Sequence, residues 1–362
     1  MGKNTPQLSK SGYNFTQAKA EYRAFCEEGN HDLPVFALPW YLDAACASSE
    51  DWQVVLYKED GQIRAAFPFA YTKGKYGLWR IHNPWQAARL GIWIDYREKS
   101  KRPGSRETYE SAVVADIISK LPYYDEFCAA FDARFQNWQP FYRMGFQQTS
   151  HYSYVLDPPE NLLAQLSYNM RREVRLLQKD YTVDGHISLE EYWDFFEKSY
   201  RQRGRTPSYG KEPFFRLCEA ALRQEACCLI GCRDQSGSLF SIAGVFIDGR
   251  RMYNMFNTFD TSTKFSTLPL VTLYAIESAR QMGLLFDFEG SMIPGVANYN
   301  LKFNAVKEPY FVITDYSDKY RLLNGLRESA RAAKRLTSAK IHSQGKDMSK
   351  CTNQKTLPSN CR

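Results

Sequence analysis

Two carboxylates lie close together near the end of the chain, in the run Phe286-Asp287-Phe288-Glu289-Gly290. Alternate residues of a strand point to the same face, so a strand here predicts that Asp287 and Glu289 share one side of a sheet. Two like charges so close are costly unless they are paired or used in chemistry. A positioned carboxylate can take a proton from a nucleophile, which makes Glu289, or Asp287 through water, a candidate general base. The alternative is that both carboxylates cap backbone amides at the Gly290 turn.

The pattern around this run predicts the elements that would position the two carboxylates. Apolar stretches separated by turn residues predict three upstream strands, and a run with helical spacing that ends at Gly283 predicts a helix. A strand through Phe286, a short helix and a last strand complete the order. The predicted ranges are 227–231, 239–247 and 251–259 for the three strands, 268–282 for the helix, 296–303 for the short helix and 309–314 for the last strand.

The first half of the chain repeats this order of elements. Strands are expected at 52–57 and 63–71, a helix at 107–121, and strands at 125–131 and 151–156 on either side of a segment at 139–146 that matches the short helix. Two related halves are the economical explanation, and two unrelated mixed domains are the alternative. The predicted organisation is an N-terminal segment (1–34), a first domain (35–157), a second domain (158–318), a basic helix (319–342) and a disordered tail (343–362).

The net charge of +7 is a property of the C-terminus. The segment 319–362 holds 11 Lys and Arg against 2 acids, a balance that suits RNA or an anionic membrane surface. No apolar stretch is long enough to span a membrane, and 1–11 lacks the apolar segment of a secretion signal, so we expect a cytoplasmic protein. The cysteines and histidines show no metal-ligand spacing, and no metal is expected.

The run Asp287-Phe288-Glu289-Gly290-Ser291, followed by Pro294-Gly295-Val296 and Tyr299, resembles a motif of the tandem GCN5-related N-acyltransferase (GNAT) proteins of the FemAB-like group. The segment Met170-Arg171-Arg172-Glu173-Val174-Arg175-Leu176 is similar to the basic helix that opens their second domain. The predicted order of strands and helices is typical of GNAT domains. The resemblance covers about residues 35–315 and implies a mixed α/β (α+β) fold of two GNAT-like domains, each a twisted mixed sheet flanked by helices.

The resemblance also implies an acyltransferase. The best-studied members of the group transfer amino acids from aminoacyl-tRNA to peptidoglycan precursors, and other GNAT enzymes use acyl-CoA. We therefore expect acyl-CoA or aminoacyl-tRNA as the acyl donor. The acceptor would be the amine of a small molecule or of a cell-wall or lipid precursor, with tRNA and an anionic surface as further candidate partners. The alternative is a catalytically silent module that holds RNA or an anionic surface.

The resemblance places the acyl donor against the strand 251–259 and the start of the helix that follows it. The donor-binding candidates are Tyr253, Asn254 and Asn257 on the strand and Lys264, Ser266 and Thr267 before the helix. Acyl-CoA enzymes of this fold hold the pyrophosphate on a Gly-rich turn at a helix start, where free N–H groups favour an anion. The segment 263–267 has no glycine, and Ser266 or Thr267 as a plain helix cap is the alternative.

The acceptor candidates follow the carboxylates and also lie on an earlier basic helix. They are Tyr299, Asn300 and Lys302, which would orient the acceptor, and Arg171, Arg172 and Arg175 on a helix predicted at 161–179, which would bind a phosphate-bearing substrate such as tRNA. Many FemAB-like relatives have Lys where this chain has Asn300, and Lys302 lies roughly 200° further round a helix. The alternative for the arginines is an ordinary solvated helix face.

Overall fold

A computed structural model describes residues 12–29, 31–96, 102–207, 209–290, 292–327 and 329 of the 362. Within these residues, the chain up to Asp315 forms one compact unit and the segment from Tyr316 belongs to a second. Helical backbone covers 318–327, at the start of the predicted basic helix. The rest of that helix, the tail and Ser291 lie outside the described residues.

The chain divides into two halves with the same order of main elements. The first half contains α1 (Phe15–Glu27), α2 (Pro39–Ala45), β1 (Trp52–Glu59), β2 (Gln62–Lys73), β3 (Trp79–His82), β4 (Trp93–Ile94), α3 (Pro103–Ser119), β5 (Glu126–Ala130), α4 (Gln139–Arg143) and β6 (Gln147–Leu156). The second half contains α5 (Leu162–Gln165), α6 (Tyr168–Leu177), β7 (Tyr181–Asp184), α7 (Leu189–Gln202), α8 (Lys211–Arg223), β8 (Cys227–Asp234), β9 (Leu239–Ile247), β10 (Arg251–Phe259), α9 (Leu268–Gln281), β11 (Leu285–Asp287), α10 (Pro294–Leu301) and β12 (Val306–Tyr316).

The predicted duplication is confirmed by this order. The series β1, β2, β3, α3, β5, α4, β6 corresponds to β8, β9, β10, α9, β11, α10, β12, with the short β4 as an addition to the first series. Local turn chemistry explains the hairpin that opens the first series, because Asp60 and Gly61 adopt φ of 50° and 75°. A two-residue hairpin turn of type I′ requires that left-handed backbone at both central positions.

The two halves exchange their last strands within one continuous sheet. Its order is β1-β2-β3-β5-β12-β6-β11-β10-β9-β8-β7, with β4 on β2. The last strand of the first half therefore lies beside β11, and the last strand of the second half lies beside β5. The antiparallel β6–β12 pair runs from Val306 opposite Val155 to Thr314 opposite Gln147, and Phe131 N–H donates to the Phe311 carbonyl at 2.8 Å.

Apolar packing also joins the halves. Phe36 and Tyr41 of the first half are fully buried in one cluster with Phe246 and Tyr253 of the second half. The rings of Phe36 and Tyr253 lie 4.8 Å apart between centroids. In the opposite direction, Ile313 of β12 is buried in the core of the first half. Each half thus contributes side chains to the packing of the other.

Three sequence-based boundaries need correction. The helix predicted at 161–179 is two helices, α5 and α6, because the backbone turns extended at Leu166 and Ser167. The N-terminal segment contains α1, which buries Tyr22 against the first half. The strand through Phe286 ends at Asp287, before Glu289.

No helix among the described residues is long and apolar enough to cross a membrane.

Candidate active site

The two carboxylates take different positions at the end of β11. Asp287 is the last residue of the strand, whereas Glu289 has a φ of 64°, which breaks the alternation that the sequence predicts. Asp287 Oδ1 accepts the Glu289 N–H at 2.9 Å and the Ser153 hydroxyl at 2.6 Å. Asp287 thus caps the turn, while Glu289 Oε1 is buried without a hydrogen-bond partner among the described residues.

Two arginines face the carboxylates from opposite halves of the chain. Arg89 Nη2 contacts Asp287 Oδ2 and lies 3.7 Å from Glu289 Oε1. Arg251 Nη1 lies 2.8 Å from Asp287 Oδ2, and its two Nη atoms lie 2.7 and 2.8 Å from the Glu308 carboxylate. Three carboxylates therefore share two guanidinium charges in a largely buried cluster, and one carboxylate lacks a full countercharge.

Local structure fixes Arg89 in this position. Asn83 donates to the carbonyls of Ala87 and Ala130 at 3.0 Å and accepts the Ala130 N–H, also at 3.0 Å. The Leu90 N–H donates to the Ala130 carbonyl at 2.9 Å. Gly91 follows with a φ of 70°, and a Cβ there would lie 2.6 Å from the Phe131 ring. The loop between β3 and β4 is thus tied to β5, and Arg89 extends from it into the second half.

The environment separates the pKa values of the two carboxyls. Burial alone would raise the pKa of Asp287, but Arg89, Arg251 and the Ser153 hydroxyl hold it below its ordinary 3.8. Burial raises the pKa of Glu289 from 4.5 to about 7; the Asp287 charge adds to this effect and the Arg89 charge opposes it. Asp287 remains ionised, and Glu289 gains a pKa suited to proton transfer near neutral pH.

A gap in the sheet opens beside Glu289. Parallel pairing between β10 and β11 covers only Arg251 to Tyr253 opposite Leu285 to Asp287. β10 then continues to Phe259, paired with β9 and with no partner strand on its other edge among the described residues. A register shift between Asn254 and Phe256 adds a bulge where the strands separate. Backbone groups on this edge of β10 can face a bound acyl group.

The predicted donor residues on β10 differ in exposure. Tyr253 is buried, and its hydroxyl donates to Asp248 Oδ2 at 2.8 Å. Asn254 is buried at the bulge, and its Oδ1 has no hydrogen-bond partner among the described residues. Asn257 is exposed. Of the three residues, Asn254 lies closest to the point where β10 and β11 separate, and its Oδ1 is available to a ligand. The role of all three residues in binding the acyl donor stays a prediction.

The start of α9 is already capped by its own residues. Ser266 Oγ accepts the Leu268 N–H at 3.2 Å, Pro269 has no N–H, and the Leu270 N–H donates to the Thr267 carbonyl at 3.0 Å. The Thr267 side chain is buried. Ser266 thus caps the helix, which is the alternative to a phosphate-binding role. The first three residues of α9 have no free backbone N–H for a phosphate.

Lys264 precedes this cap and its ammonium lies 5.4 Å from the Phe265 ring centroid. A phosphate at Lys264, Ser266 and Thr267 stays a prediction, without help from the helix N–H groups.

The predicted acceptor residues on α10 point in different directions. The Tyr299 and Thr272 hydroxyls lie 2.9 Å apart. Asn300 is buried, and its Nδ2 has no hydrogen-bond partner among the described residues. Lys302 is exposed, as the helical rotation predicts. Asn300, at the position where we expect Lys from the resemblance, therefore has a buried side-chain N–H group that can donate a hydrogen bond to a ligand.

The three arginines predicted to bind a phosphate lie on α6, separate from the two carboxylates. Arg171 Nη2 donates to the carbonyls of Ala164 and Leu166 at 2.8 and 3.1 Å. Arg172 and Arg175 are exposed on α6. Among the described residues, none of these arginines forms an ion pair with Asp287 or Glu289. Their role in substrate binding stays a prediction.

Comparisons with known proteins agree with this architecture. Residues 164–302 match the family described as Acetyltransferase (GNAT) domain. A solved structure of FemX superposes with a TM-score of 0.57 at 13% identity, covering 81% of this chain and 95% of FemX. L-PGS from Bacillus licheniformis superposes with a TM-score of 0.52 at 12% identity, covering 85% of this chain and 96% of L-PGS. The chain therefore has a tandem GNAT fold similar to that of FemX. No curated protein matches it by sequence.

A third similar structure, with the same tandem GNAT fold, is a conserved protein of unknown function from Bacteroides thetaiotaomicron. Its TM-score is 0.51 at 12% identity, and the match covers 84% of this chain and 98% of that one. At these identities the similarity concerns the fold, whereas donor and acceptor depend on the residues of the site.

The tandem GNAT fold brings in four site residues that sequence analysis missed. These are Arg89, Ser153, Arg251 and Glu308. Arg89 lies 198 positions before Asp287, and no local pattern marks it. The one available signal is electrostatic: two neighbouring carboxylates on a buried strand require cations, but the sequence does not say which ones.

Proposed function

We propose that this protein transfers an aminoacyl group from aminoacyl-tRNA to an amine acceptor, with Glu289 as the general base. The observation that carries the proposal is Glu289 itself. Its carboxyl is buried beside the gap between β10 and β11, its Oε1 has no hydrogen-bond partner among the described residues, and its pKa is raised to about 7. A base with these properties accepts a proton near neutral pH and loses it again within one cycle.

The reaction forms a C–N bond and breaks an ester C–O bond. The acceptor amine attacks the ester carbonyl, and Glu289 takes a proton from the nitrogen. The tetrahedral intermediate then collapses with loss of the tRNA hydroxyl, which receives the proton from Glu289. Backbone N–H groups on the unpaired edge of β10 are candidates to stabilise the oxyanion. Arg89 and Arg251 keep Asp287 ionised, and Asp287 holds the Glu289 backbone in place.

The start of α9 favours an aminoacyl ester over a CoA thioester. A CoA pyrophosphate gains most of its fold-specific binding from free N–H groups at a helix start. Here Leu268 and Leu270 use their N–H groups within the chain and Pro269 has none. Acyl-CoA remains the competing donor. The acceptor is an amine of a small molecule or of a cell-wall or lipid precursor.

Two measurements test this proposal. In the first, Glu289→Gln should lower the single-turnover rate by about 10²- to 10⁴-fold, because it removes the base and keeps the size of the side chain. Glu277→Gln, an exposed change on α9, is the matched control. A fully active Glu289→Gln protein would refute the assignment.

The second measurement is thermal melting with CoA, acetyl-CoA or a charged tRNA pool, since a ligand that binds the folded state raises the melting temperature. Stabilisation by charged tRNA alone supports the proposed donor. Stabilisation by the CoA compounds alone replaces it with acyl-CoA. Binding of uncharged RNA without turnover of any donor would favour the catalytically silent module.

A further inference from the structure

The helix α10 exposes apolar side chains next to the candidate active site. Met292, Ile293 and Val296 at its start are 60, 64 and 42% exposed, and Leu301 at its end is 45% exposed. Asn300 and Phe303 are instead buried. Ala297 and Tyr299 pack against the same core as Phe303, so the exposed apolar side chains lie around the start of α10 and at its end. Such clusters mark interaction surfaces.

The start of α6 extends this surface. The Ser167 N–H donates to the Lys302 carbonyl at 3.1 Å, and Asn304 Nδ2 donates to Gln165 Oε1 at 3.1 Å. These bonds hold the beginning of α6 against the end of α10. Tyr168, the first residue of α6, is 76% exposed. We call Tyr168, Met292, Ile293, Val296 and Leu301 the α10 face.

The segments that carry the α10 face are rich in positive charge. The segments 168–179 and 292–307 together contain six Lys and Arg and one Glu. Arg172 and Arg175 of α6 and Lys302 of α10 are exposed. The Lys307 ammonium lies 5.6 Å from the Tyr152 ring centroid, at the paired ends of β12 and β6. Exposed cations and exposed apolar side chains therefore lie in the same neighbouring segments of the chain.

We infer that the α10 face docks on a bilayer that contains anionic phospholipid. Branched and thioether side chains enter the boundary between headgroups and acyl chains, and neighbouring cations attract anionic headgroups. RNA fits this surface less well, because Tyr168 is the one aromatic ring among the five residues of the α10 face, and the aliphatic and thioether side chains neither stack on bases nor donate hydrogen bonds. The inference does not depend on the proposed reaction. Docking would bring an amine at the membrane interface close to Glu289, since only a few residues separate Glu289 from Met292.

Vesicle co-sedimentation of the full chain tests the inference. The vesicles contain phosphatidylcholine alone or phosphatidylcholine with phosphatidylglycerol. We expect sedimentation with the anionic vesicles and little with the neutral ones. The double variant Met292→Ser/Ile293→Ser should lower the partition coefficient by about tenfold or more, because it removes apolar contact and leaves every charge in place.

A matched control lies on the corresponding helix of the first half. Tyr142→Ser/Met144→Ser changes two exposed apolar residues at the end of α4 and should sediment like the unchanged protein. Melting temperatures of both variants check that they fold.

Two results would overturn the inference. One is equal binding by the Met292→Ser/Ile293→Ser variant and the unchanged protein, which would assign membrane binding to charge elsewhere, such as the C-terminal segment. The other is no difference between neutral and anionic vesicles. Retention of turnover on a soluble amine by the same variant keeps this test separate from that of the proposed reaction.

Discussion

At the scale of single residues, the site depends on the contrast between two neighbouring carboxyls. Asp287 is surrounded by donors and two guanidinium groups, and its pKa is lowered. Glu289 Oε1 is buried without a hydrogen-bond partner among the described residues, 3.7 Å from Arg89 Nη2, and the pKa of Glu289 is raised to about 7. Because their environments push the two pKa values apart, one carboxyl is structural and the other is free to exchange a proton.

The raised pKa of Glu289 predicts a pH-dependent effect of Glu289→Gln on stability. Between pH 4.5 and about 7, Glu289 is protonated in the folded protein but ionised in the unfolded chain. The contribution of Glu289 to the unfolding free energy therefore falls as the pH rises through that window. Above it, ionised Glu289 costs roughly 3 kcal/mol of unfolding free energy. Glu289→Gln should therefore be more stable than the unchanged protein at pH 8 and similar at pH 4 in urea unfolding. An equal difference at both pH values would contradict the raised pKa.

Arg89 should act on the reaction through Glu289. Its charge lowers the pKa of Glu289, so Arg89→Gln should move the acidic limb of the pH–rate profile to higher pH. It should also lower the unfolding free energy by about 3–5 kcal/mol, because it removes one of the two guanidinium charges that three carboxylates share. Arg280→Gln, which removes an exposed pair with Glu277, is the control. If the folded Arg89→Gln protein kept the pH–rate profile unchanged, the prediction that Arg89 positions the base would be wrong.

At the scale of elements, the end of β11 needs a residue without a side chain. A Cβ on Gly290 would lie 2.8 Å from the Tyr152 carbonyl oxygen and 2.9 Å from the Tyr310 hydroxyl. The backbone after Glu289 therefore packs directly on β6 and β12. This contact sets where Glu289 points as the chain leaves the sheet.

Gly290→Ala should displace that turn. We expect a loss of about 1–3 kcal/mol in unfolding free energy and a lower turnover number, measured by urea unfolding and single-turnover kinetics. Gly295→Ala is the matched control, because no atom lies within 4 Å of a Cβ there and Ala favours the helix by up to about 1 kcal/mol. If both variants behave alike, the close approach at Gly290 does not position Glu289.

At the scale of the whole molecule, the exchange of β6 and β12 makes the two halves depend on each other. The last strand of each half pairs with a strand of the other half, and Ile313 of the second half is fully buried in the core of the first. A polypeptide that ends between the halves would leave long strand edges and apolar surface uncovered.

Separate expression of 12–157 and 158–327 should therefore give two poorly folded chains. Their co-expression should restore a complex with native circular dichroism and melting behaviour. In the intact chain, Ile313→Ala should lower the unfolding free energy by about 2–5 kcal/mol in a single cooperative transition. Two independent transitions, or a stable isolated half, would contradict the mutual dependence of the halves.

Local sequence patterns are enough to predict the main elements and their repetition. The strands 239–247 and 251–259 follow from turn residues between apolar stretches, and the structure places β9 and β10 at the same residues. The duplicated order follows from the same local signals. The sequence also predicts Asp287 and Glu289 as candidate site residues, because two carboxylates so close to an apolar strand are chemically unusual.

The neighbours of each strand and the cations that face the carboxylates depend instead on long-range packing. The exchange of β6 and β12 depends on contacts between residues more than 100 positions apart, and period-two alternation does not specify a partner strand. Arg89 reaches Asp287 across 198 positions, through a loop with no periodic pattern. The unlike pKa values of Asp287 and Glu289 depend on burial and on these charges, which exist only after the two halves have packed together.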